Sequence, residues 1–330
     1  AQPSSDGNIG MYGLSYPGMT QWLAAGAAPV GLKAIVPAMT MFDLYSFSYP
    51  GGVFLDDALD IWANSTNEFL DKQLPPVPVD EDTDGSLARA AQAEHQANLN
   101  IHDQSSRQLH RDAVDEQSGE QTYLTRSLYR FLPGVNESGV AVYGIAGWFD
   151  GWPRDHATWF ENLAVPKRLL FTPFDHVAGT DPGWQAMSGA LLDGDFQIGQ
   201  IVAFLDAEYM RFFDYHLKGI DNGIMDEPPV WYYTLGAPAD HAWSSSEGWP
   251  LADQVPTRYY FGAGPSGSIA SLNDGSLDTT TPTADVGQDD FIVDYAMTMG
   301  PKTRWQRVVG GEFEYGDMAE RDAASLTYTT

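Results

Sequence analysis

The sequence has no cysteine, few lysines and no long uninterrupted apolar run. Without cysteine the chain can form no disulfide, no thiol nucleophile and no thiolate metal site. Because no run of about 18 apolar residues occurs, we predict no segment that spans a membrane. Residues 1–30 lack a basic segment followed by an apolar stretch, so no signal peptide is predicted. These features suit a cytoplasmic and a secreted protein equally.

Positive charge is scarce as well. The chain has 17 Lys and Arg against 45 Asp and Glu, which gives a formal net charge of −28. A surface of this charge repels nucleic-acid phosphates and anionic lipids, so we expect neither nucleic acid nor membrane as a partner. An Asp-rich, Lys-poor composition is typical of salt-adapted proteins; a generally acidic bacterial protein is the alternative interpretation.

The most informative motif that is present lies near the start of the chain. The stretch Gly13-Leu14-Ser15-Tyr16-Pro17-Gly18 follows a short apolar run and precedes a segment of helical composition. A serine between glycines at a strand-to-helix turn is the way in which α/β-hydrolases expose a nucleophile. An ordinary Gly/Ser turn is the alternative, because such strings are common.

The length of 330 residues suits two or three domains. Within residues 8–37, a strand at 8–12, a helix and a second strand at 33–37 are predicted, which implies a parallel sheet. Helical composition follows, with the last of these helices predicted over Tyr123–Phe131, and then strands and helices alternate again. Short β-like runs at 230–235, 257–261 and 291–295, separated by Gly-, Ser-, Asp- and Pro-rich stretches, follow. The predicted fold class is α/β, with a core over 1–52 and 136–225, a helical insertion over 53–135 and a β-sandwich over 226–330.

A serine nucleophile needs a histidine base, and that base needs a carboxylate partner. In α/β-hydrolases the chain order is Ser, then Asp or Glu, then His, each on a loop just past a strand. Asp150 follows the predicted strand 139–146, and His176 follows the predicted strand 168–172. We therefore predict a triad of Ser15, Asp150 and His176 at the carboxyl edge of the sheet.

Other titratable residues compete for these roles. His156 lies in the helix after Asp150, a position off the expected loop, and His216 lies near a helix end, where a structural role is favoured. Asp175 is the rival acid, but it adjoins His176 on the same loop. Three further histidines in the acidic helical segment are predicted to be solvated: His95, His102 and His110. No cluster has metal-ligand spacing, so neither a metal nor a cofactor is predicted.

The chain resembles the cocaine-esterase / X-prolyl dipeptidyl-peptidase family of serine hydrolases in three places. These are the strand-to-helix turn around Ser15, the stretch Gly147-Trp148-Phe149-Asp150-Gly151, and His176. Further matching stretches are Phe213–Gly219, Trp243–Leu251 and Glu320–Tyr328. The resemblance implies an α/β-hydrolase core, an inserted helical cap and a C-terminal jelly-roll-like β-domain. It also implies a longer parent protein, truncated here at both ends, since the family has core strands before the turn at Ser15 and a β-domain that continues beyond residue 330.

The resemblance implies roles for individual residues. Ser15 would be the nucleophile, His176 the general base and then acid, and Asp150 its orienting partner. The backbone N–H of Tyr16 would be one oxyanion donor; the family's other donor is a tyrosine hydroxyl from an earlier loop that has no match here. The amino-ester hydrolases of the family carry carboxylates two and three positions after the catalytic Asp, where this chain has Trp152 and Pro153.

The absence of carboxylates at positions 152 and 153 argues against a substrate with an α-ammonium group. Aromatic residues near the site, Trp148, Phe149 and Trp152 with the 42–49 stretch, are predicted to line an apolar acyl pocket, with plain core packing as the alternative. The predicted partner is a small-molecule ester. Amide or X-prolyl peptide cleavage is the second hypothesis, and an inert hydrolase-like scaffold is the third. Self-association and association with a companion segment are both compatible with the sequence.

Overall fold

The computed structural model describes residues 5–176, 198–238, 241–283, 287–294, 302–308 and 317–330. It divides into two compact units: one comprises Ala1–Pro250 with Arg304–Gly310, and the other comprises Leu251–Thr303 with Gly311–Thr330. Within the described residues, no helix combines the length and the apolar character that crossing a membrane requires.

The first unit is built on a six-stranded sheet in which strand order follows chain order. The first five strands are parallel, and the sixth pairs antiparallel to the fifth. The strands are β1 (Ile9–Leu14), β2 (Leu32–Ala38), β3 (Ala141–Gly147), β4 (Lys167–Thr172), β5 (Val230–Tyr233) and β6 (Trp243–Ser246). The predicted strands at 8–12, 33–37, 139–146 and 168–172 are confirmed to within two residues at each end.

Both faces of this sheet are covered by helices. The long helix α9 (Ile198–Lys218) packs on one face through Phe212, which meets Val36 and Tyr143. On the other face Ile35 belongs to a core with the helices α1 (Tyr16–Gly26) and α8 (Pro153–Asn162). Since neighbouring strand residues point to opposite faces, a sheet covered on both sides requires unbroken apolar strands. β3 is buried throughout, and β2 is apolar and buried except at the exposed Lys33 near its start.

A helical segment is inserted between β2 and β3. It contains a π-helical turn at Asn64–Gln73 and 3₁₀ turns at Pro50–Gly52 and Leu128–Phe131. Its α-helices are α2 (Leu44–Ser48), α3 (Asp56–Ala63), α4 (Ser86–His95), α5 (Ile101–Arg107), α6 (Thr122–Arg126) and α7 (Leu132–Ser138). The helix predicted over Tyr123–Phe131 is interrupted at Ser127, whose hydroxyl donates to the Tyr123 carbonyl and whose backbone is extended.

The sheet extends further along the chain than the sequence indicated. The run Val230–Tyr233 was predicted to open the β-sandwich, yet it pairs with β4 in the main sheet. Strand periodicity does not say which sheet a strand will join, so the sequence could not separate the two placements. In the structure the first unit runs to Pro250 and also takes in the helix α10 (Arg304–Val308).

The second unit contains a three-stranded sheet of β7 (Tyr260–Pro265), β8 (Asn273–Asp278) and β9 (Leu326–Thr329). It also contains the short helix α11 (Ala319–Ala323). The strand predicted at 291–295 is not formed over residues 291–294, and Tyr295 lies outside the described residues. A jelly-roll arrangement of this unit stays a prediction.

Candidate active site

Ser15 occupies a strained turn between β1 and α1. Its φ of 62° and ψ of −125° lie where residues other than glycine seldom occur. Its backbone N–H donates to the carbonyl of Ala38, at the end of β2, at 2.9 Å. Strain of this kind persists only where surrounding structure enforces it, and it is found at functional sites.

Two glycines make this sharp turn sterically possible. A Cβ on Gly13 would lie 2.7 Å from the Cβ of Pro17, on the first turn of α1. A Cβ on Gly18 would lie 2.5 Å from the Thr40 side chain and 2.9 Å from the carbonyl oxygen of Gly13. Any larger residue would push α1 away from the strands, so the spacing of the motif follows from packing.

The structure brings the three predicted triad residues into one hydrogen-bonded chain. The Ser15 hydroxyl lies 2.8 Å from Nε2 of His176, and Nδ1 of His176 lies 2.7 Å from Oδ1 of Asp150. The Asp150 side chain is fully buried. With the carboxylate facing Nδ1, the ring holds its proton on that atom and leaves Nε2 free to accept from Ser15.

Strand register explains why residues so distant in sequence meet. Leu14, at the end of β1, pairs with Ala38, at the end of β2, and Gly147, at the end of β3, pairs with Thr172, at the end of β4. All three loops therefore leave the sheet at the same carboxyl edge, where open α/β folds hold their sites.

Trp152 contacts both Asp150 and His176 from the end of the loop after β3. Its backbone N–H donates to Oδ2 of Asp150 at 3.1 Å, which occupies the carboxylate oxygen that His176 does not use. Its indole meets the imidazole of His176 edge-on, with ring centroids 5.2 Å apart at 77°. One residue thus contacts Asp150 through its backbone and His176 through its side chain.

The competing residues are engaged elsewhere. Nε2 of His156 accepts the backbone N–H of Thr40 at 2.9 Å, and burial lowers the pKa of this imidazole to about 4. The Asp155 carboxylate accepts the backbone N–H of Phe42 at 2.7 Å, and burial raises its pKa to about 6. The carboxylate of Asp175 accepts from Nε of Arg307 at 2.9 Å, with both side chains buried.

Of the histidines predicted to be solvated, His95 and His110 are exposed, whereas His102 is partly buried. His102 pairs with Asp56 at 2.7 Å, which raises its pKa, and His95 pairs with Asp71 at 2.8 Å. Burial lowers the pKa of His216 on α9. Among the described residues, no three His, Asp or Glu side chains are arranged to hold a metal ion.

A cavity of about 420 Å³ opens beside Ser15. It lies between the sheet edge and the inserted helices, and its lining is mostly apolar. Of the lining residues that the structure describes, Arg126 is the charged one, and Glu120 pairs with its guanidinium at 2.8 Å. The lining residues are Ser15, Tyr16, Met19, Thr20, Leu23, Met41, Leu44, Phe47, Trp62, Ile101, Thr125, Arg126, Leu128, Phe131, Trp152 and Val308.

Only some of the aromatic residues predicted to line the acyl pocket line the cavity in the part of the chain that the structure describes. Trp152 lines the cavity, and Phe47, from the 42–49 stretch, lines it too. Trp148 does not: it stacks on Phe171 at 4.4 Å, and its indole N–H donates to the Tyr233 carbonyl at 2.7 Å. Phe149 is likewise absent from the lining. Trp148 is therefore packed in the core, as the alternative interpretation predicted, and does not line the cavity.

Sequence reasoning missed most of the apolar wall. Trp62 and Ile101 belong to the inserted helices, and Val308 comes from α10, far along the chain. An available signal was the presence of large apolar residues on short, otherwise polar helices. Nothing in the sequence indicated that α10 joins the first unit.

Comparison with known proteins is consistent across sequence and fold. The family model described as "X-Pro dipeptidyl-peptidase (S15 family)" matches residues 1–178. A Mycobacterium bovis protein whose name describes it as a serine esterase is 30% identical over 100% of this chain and 54% of its own. The cocaine esterase of a Rhodococcus strain is 28% identical over 88% of this chain and 50% of its own.

A solved structure of a CocE/NonD family hydrolase from Staphylococcus aureus has a TM-score of 0.52 at 17% identity. The match covers 85% of this chain and 40% of that one, and it indicates a shared α/β-hydrolase fold. The chain spans about half the length of the curated relatives that it matches.

Proposed function

The chain belongs to the S15 family of X-Pro dipeptidyl-peptidases, and on this premise we propose that the protein is a serine hydrolase that cleaves carboxylic esters. Ser15 is the nucleophile, His176 the proton carrier and Asp150 its partner. The observation that carries the proposal is the hydrogen-bonded chain from Ser15 through His176 to buried Asp150, which ends at an apolar cavity.

Acylation follows from this geometry. The Ser15 oxygen attacks the acyl carbon as its proton passes to Nε2 of His176. Asp150, held at Nδ1, stabilises the resulting imidazolium. The tetrahedral oxyanion lies beside the backbone N–H of Tyr16, since the first N–H groups of a helix have no acceptor within it. When the oxyanion collapses, the C–O bond breaks and His176 gives its proton to the leaving alcohol.

Deacylation repeats these steps with water. His176 takes a proton from water as the water oxygen attacks the acyl-Ser15 carbonyl. The tetrahedral species then expels the Ser15 oxygen, which regains its proton from His176. A carboxylic acid leaves, and the free serine is restored.

The cavity lining favours uncharged aryl or alkyl esters. Met41, Phe47 and Leu128 offer apolar contact, and no Asp or Glu is among the described lining residues. A dipeptidyl-peptidase substrate carries a protonated N-terminus, and burying that charge without an acidic partner is costly. We therefore rank X-prolyl peptides and α-amino esters below neutral esters.

A fluorophosphonate probe tests the nucleophile directly. The full chain should be labelled with one probe per molecule, and Ser15→Ala should abolish labelling. Ser65→Ala is the matched control, because Ser65 is an exposed serine on the inserted segment and donates only to the Trp62 carbonyl within it. A folded sample without any labelling would support the inert-scaffold alternative.

Substrate class is tested with three chromogenic or titrimetric assays on the same preparation. We expect kcat/KM to be highest for p-nitrophenyl butyrate, lower for an α-amino methyl ester and lowest for an X-Pro p-nitroanilide. Preference for the X-Pro p-nitroanilide would establish the peptidase alternative and contradict the ester assignment.

A further inference from the structure

The helix α10 (Arg304–Val308) contacts both loops that carry the acid and the base of the proposed triad. It comes more than a hundred residues after His176 in the chain, yet it lies in the first compact unit with the sheet. It is separated from Pro250 by residues of the second unit. This placement requires specific contacts, and two sets of them are present.

The first set is a buried ion pair. Nε of Arg307 donates to Oδ2 of Asp175 at 2.9 Å, and the two side chains are 4% and 2% exposed. Asp175 immediately precedes His176. A charged pair out of water is favourable only with good geometry, and loss of one partner is strongly destabilising. The pair therefore holds the backbone at His176 to α10.

The second set is apolar and faces the acid loop. A Cβ on Gly151, the residue after Asp150, would lie 3.0 Å from the Trp305 ring and 3.0 Å from Val308. The backbone at Gly151 therefore packs directly against both side chains. Val308 also lines the cavity beside Ser15.

Aromatic contacts continue from α10 to the base itself. The Trp305 ring lies 6.3 Å from that of Phe47, Phe47 lies 5.3 Å from Trp152, and Trp152 lies 5.2 Å from His176. Edge-to-face and tilted ring pairs at these separations are attractive and directional. The imidazole is thus supported from α10 along two routes, one ionic through Asp175 and one aromatic.

We propose that α10 is the positioning element of the active site, with Arg307 as a positioning residue for His176. The inference rests on the proposed function, since it concerns the geometry of that triad. Arg307 touches neither substrate nor reacting atoms. It acts through Asp175 and the loop, and Trp305 acts through Phe47 and Trp152.

Positioning predicts a kinetic effect that loss of stability does not. Misplacement of a reacting group by about 1 Å can lower the rate about 100-fold. Arg307→Met keeps much of the apolar stem of the side chain and removes the charge. We expect kcat per titrated active site to fall about 100-fold for p-nitrophenyl butyrate, with KM nearly unchanged, because the cavity remains.

Arg168→Met is the matched control. Arg168 is also a buried arginine in the first unit, and it pairs with Glu227 at 2.9 Å, away from the triad loops. Its replacement should lower the melting temperature while leaving kcat per titrated site unchanged. The fluorophosphonate titration in each variant counts only competent sites, so unfolded molecules do not enter kcat.

The possible results distinguish a positioning role of α10 from a purely structural one. An Arg307→Met enzyme with wild-type kcat per site, or with a loss equal to that of Arg168→Met, would overturn the proposal. If Arg307→Met does not fold, Trp305→Leu is the variant to measure, because it keeps the ion pair and removes the aromatic contacts. A reduced kcat in Trp305→Leu supports positioning by α10, and a wild-type kcat overturns it. Absence of labelling in the wild type would overturn the proposed function, and this inference with it.

Discussion

Thr40, two residues past the end of β2, donates its backbone N–H to Nε2 of His156 on α8 at 2.9 Å, and both residues are buried. This bond occupies the ring nitrogen that a general base would need. Because burial also lowers the pKa of His156 to about 4, the ring is neutral at pH 7 and serves as a structural acceptor.

We predict from this that the two histidines respond differently to substitution. His176→Ala should lower kcat/KM for p-nitrophenyl esters by about four orders of magnitude or more, because the serine loses its base. His156→Gln keeps an acceptor for Thr40 and should retain kcat, at a cost in stability of roughly 1–3 kcal/mol. Equal losses of kcat/KM in the two variants, measured on samples that unfold cooperatively, would refute the assignment of the base.

The adjacent residues Asp155 and His156 are expected to give opposite pH dependences of stability. The pKa of Asp155 is raised from 3.8 to about 6, so between these values the folded state binds more protons than the unfolded state. Its contribution is therefore present at low pH and is lost as the pH rises towards 6. The pKa of His156 is lowered from 6.5 to about 4, so its contribution is present above pH 6.5 and is lost as the pH falls.

Single substitutions should show the pH dependence of stability due to Asp155 separately from that due to His156. Relative to wild type, Asp155→Asn should gain stability at pH 7, on the order of 3 kcal/mol at most, and lose that advantage towards pH 4. His156→Gln should show the reverse trend, with its disadvantage shrinking as the pH falls. Melting temperatures measured from pH 4 to 7.5 and subtracted from wild type test this; difference curves that are flat or share one sign of slope would contradict it.

Gly18 is predicted to be intolerant of even one methyl group. In Gly18→Ala the new Cβ would meet Thr40 and the Gly13 carbonyl, so α1 must shift. Overpacking of this kind costs roughly 1–3 kcal/mol and would also move Ser15 from His176. We expect lower melting temperature and lower kcat. Gly248→Ala is the control, since a Cβ there meets no atom within 4 Å; indistinguishable variants would count against the packing argument.

Trp62 is predicted to bind substrate without taking part in the chemistry. It lines the cavity from α3, whereas its neighbour Ile61 does not. Trp62→Ala removes apolar contact that is the same in the ground state and the transition state, so KM for a hydrophobic ester should rise about tenfold with kcat retained. Ile61→Ala should change neither. A fall in kcat with KM unchanged would show that Trp62 shapes the reacting geometry instead.

Much of the first unit was predictable because its signals are local. A strand buried on both faces must be apolar throughout, and a sharp strand-to-helix turn with an exposed serine needs glycines at Gly13 and Gly18. The order of Ser15, Asp150 and His176 along the chain, each directly after such a strand, was enough to predict that they share one sheet edge.

Placement of remote segments was not predictable, since it depends on contacts between residues far apart in the chain. Val230–Tyr233 has the pattern of any short strand, and only pairing with β4 assigns it to the main sheet. Likewise Trp148 and Trp152 lie in one aromatic loop, yet one stacks on Phe171 and the other against His176.

The sequence by itself therefore determined the fold class and the candidate triad, because strand burial, turn sterics and chain order are local properties. Only the tertiary structure decided the hydrogen-bond distances, the make-up of the cavity wall and the contact of Arg307 with Asp175. Those features depend on how side chains from separate segments fill one buried volume, and no single stretch of the chain encodes that packing.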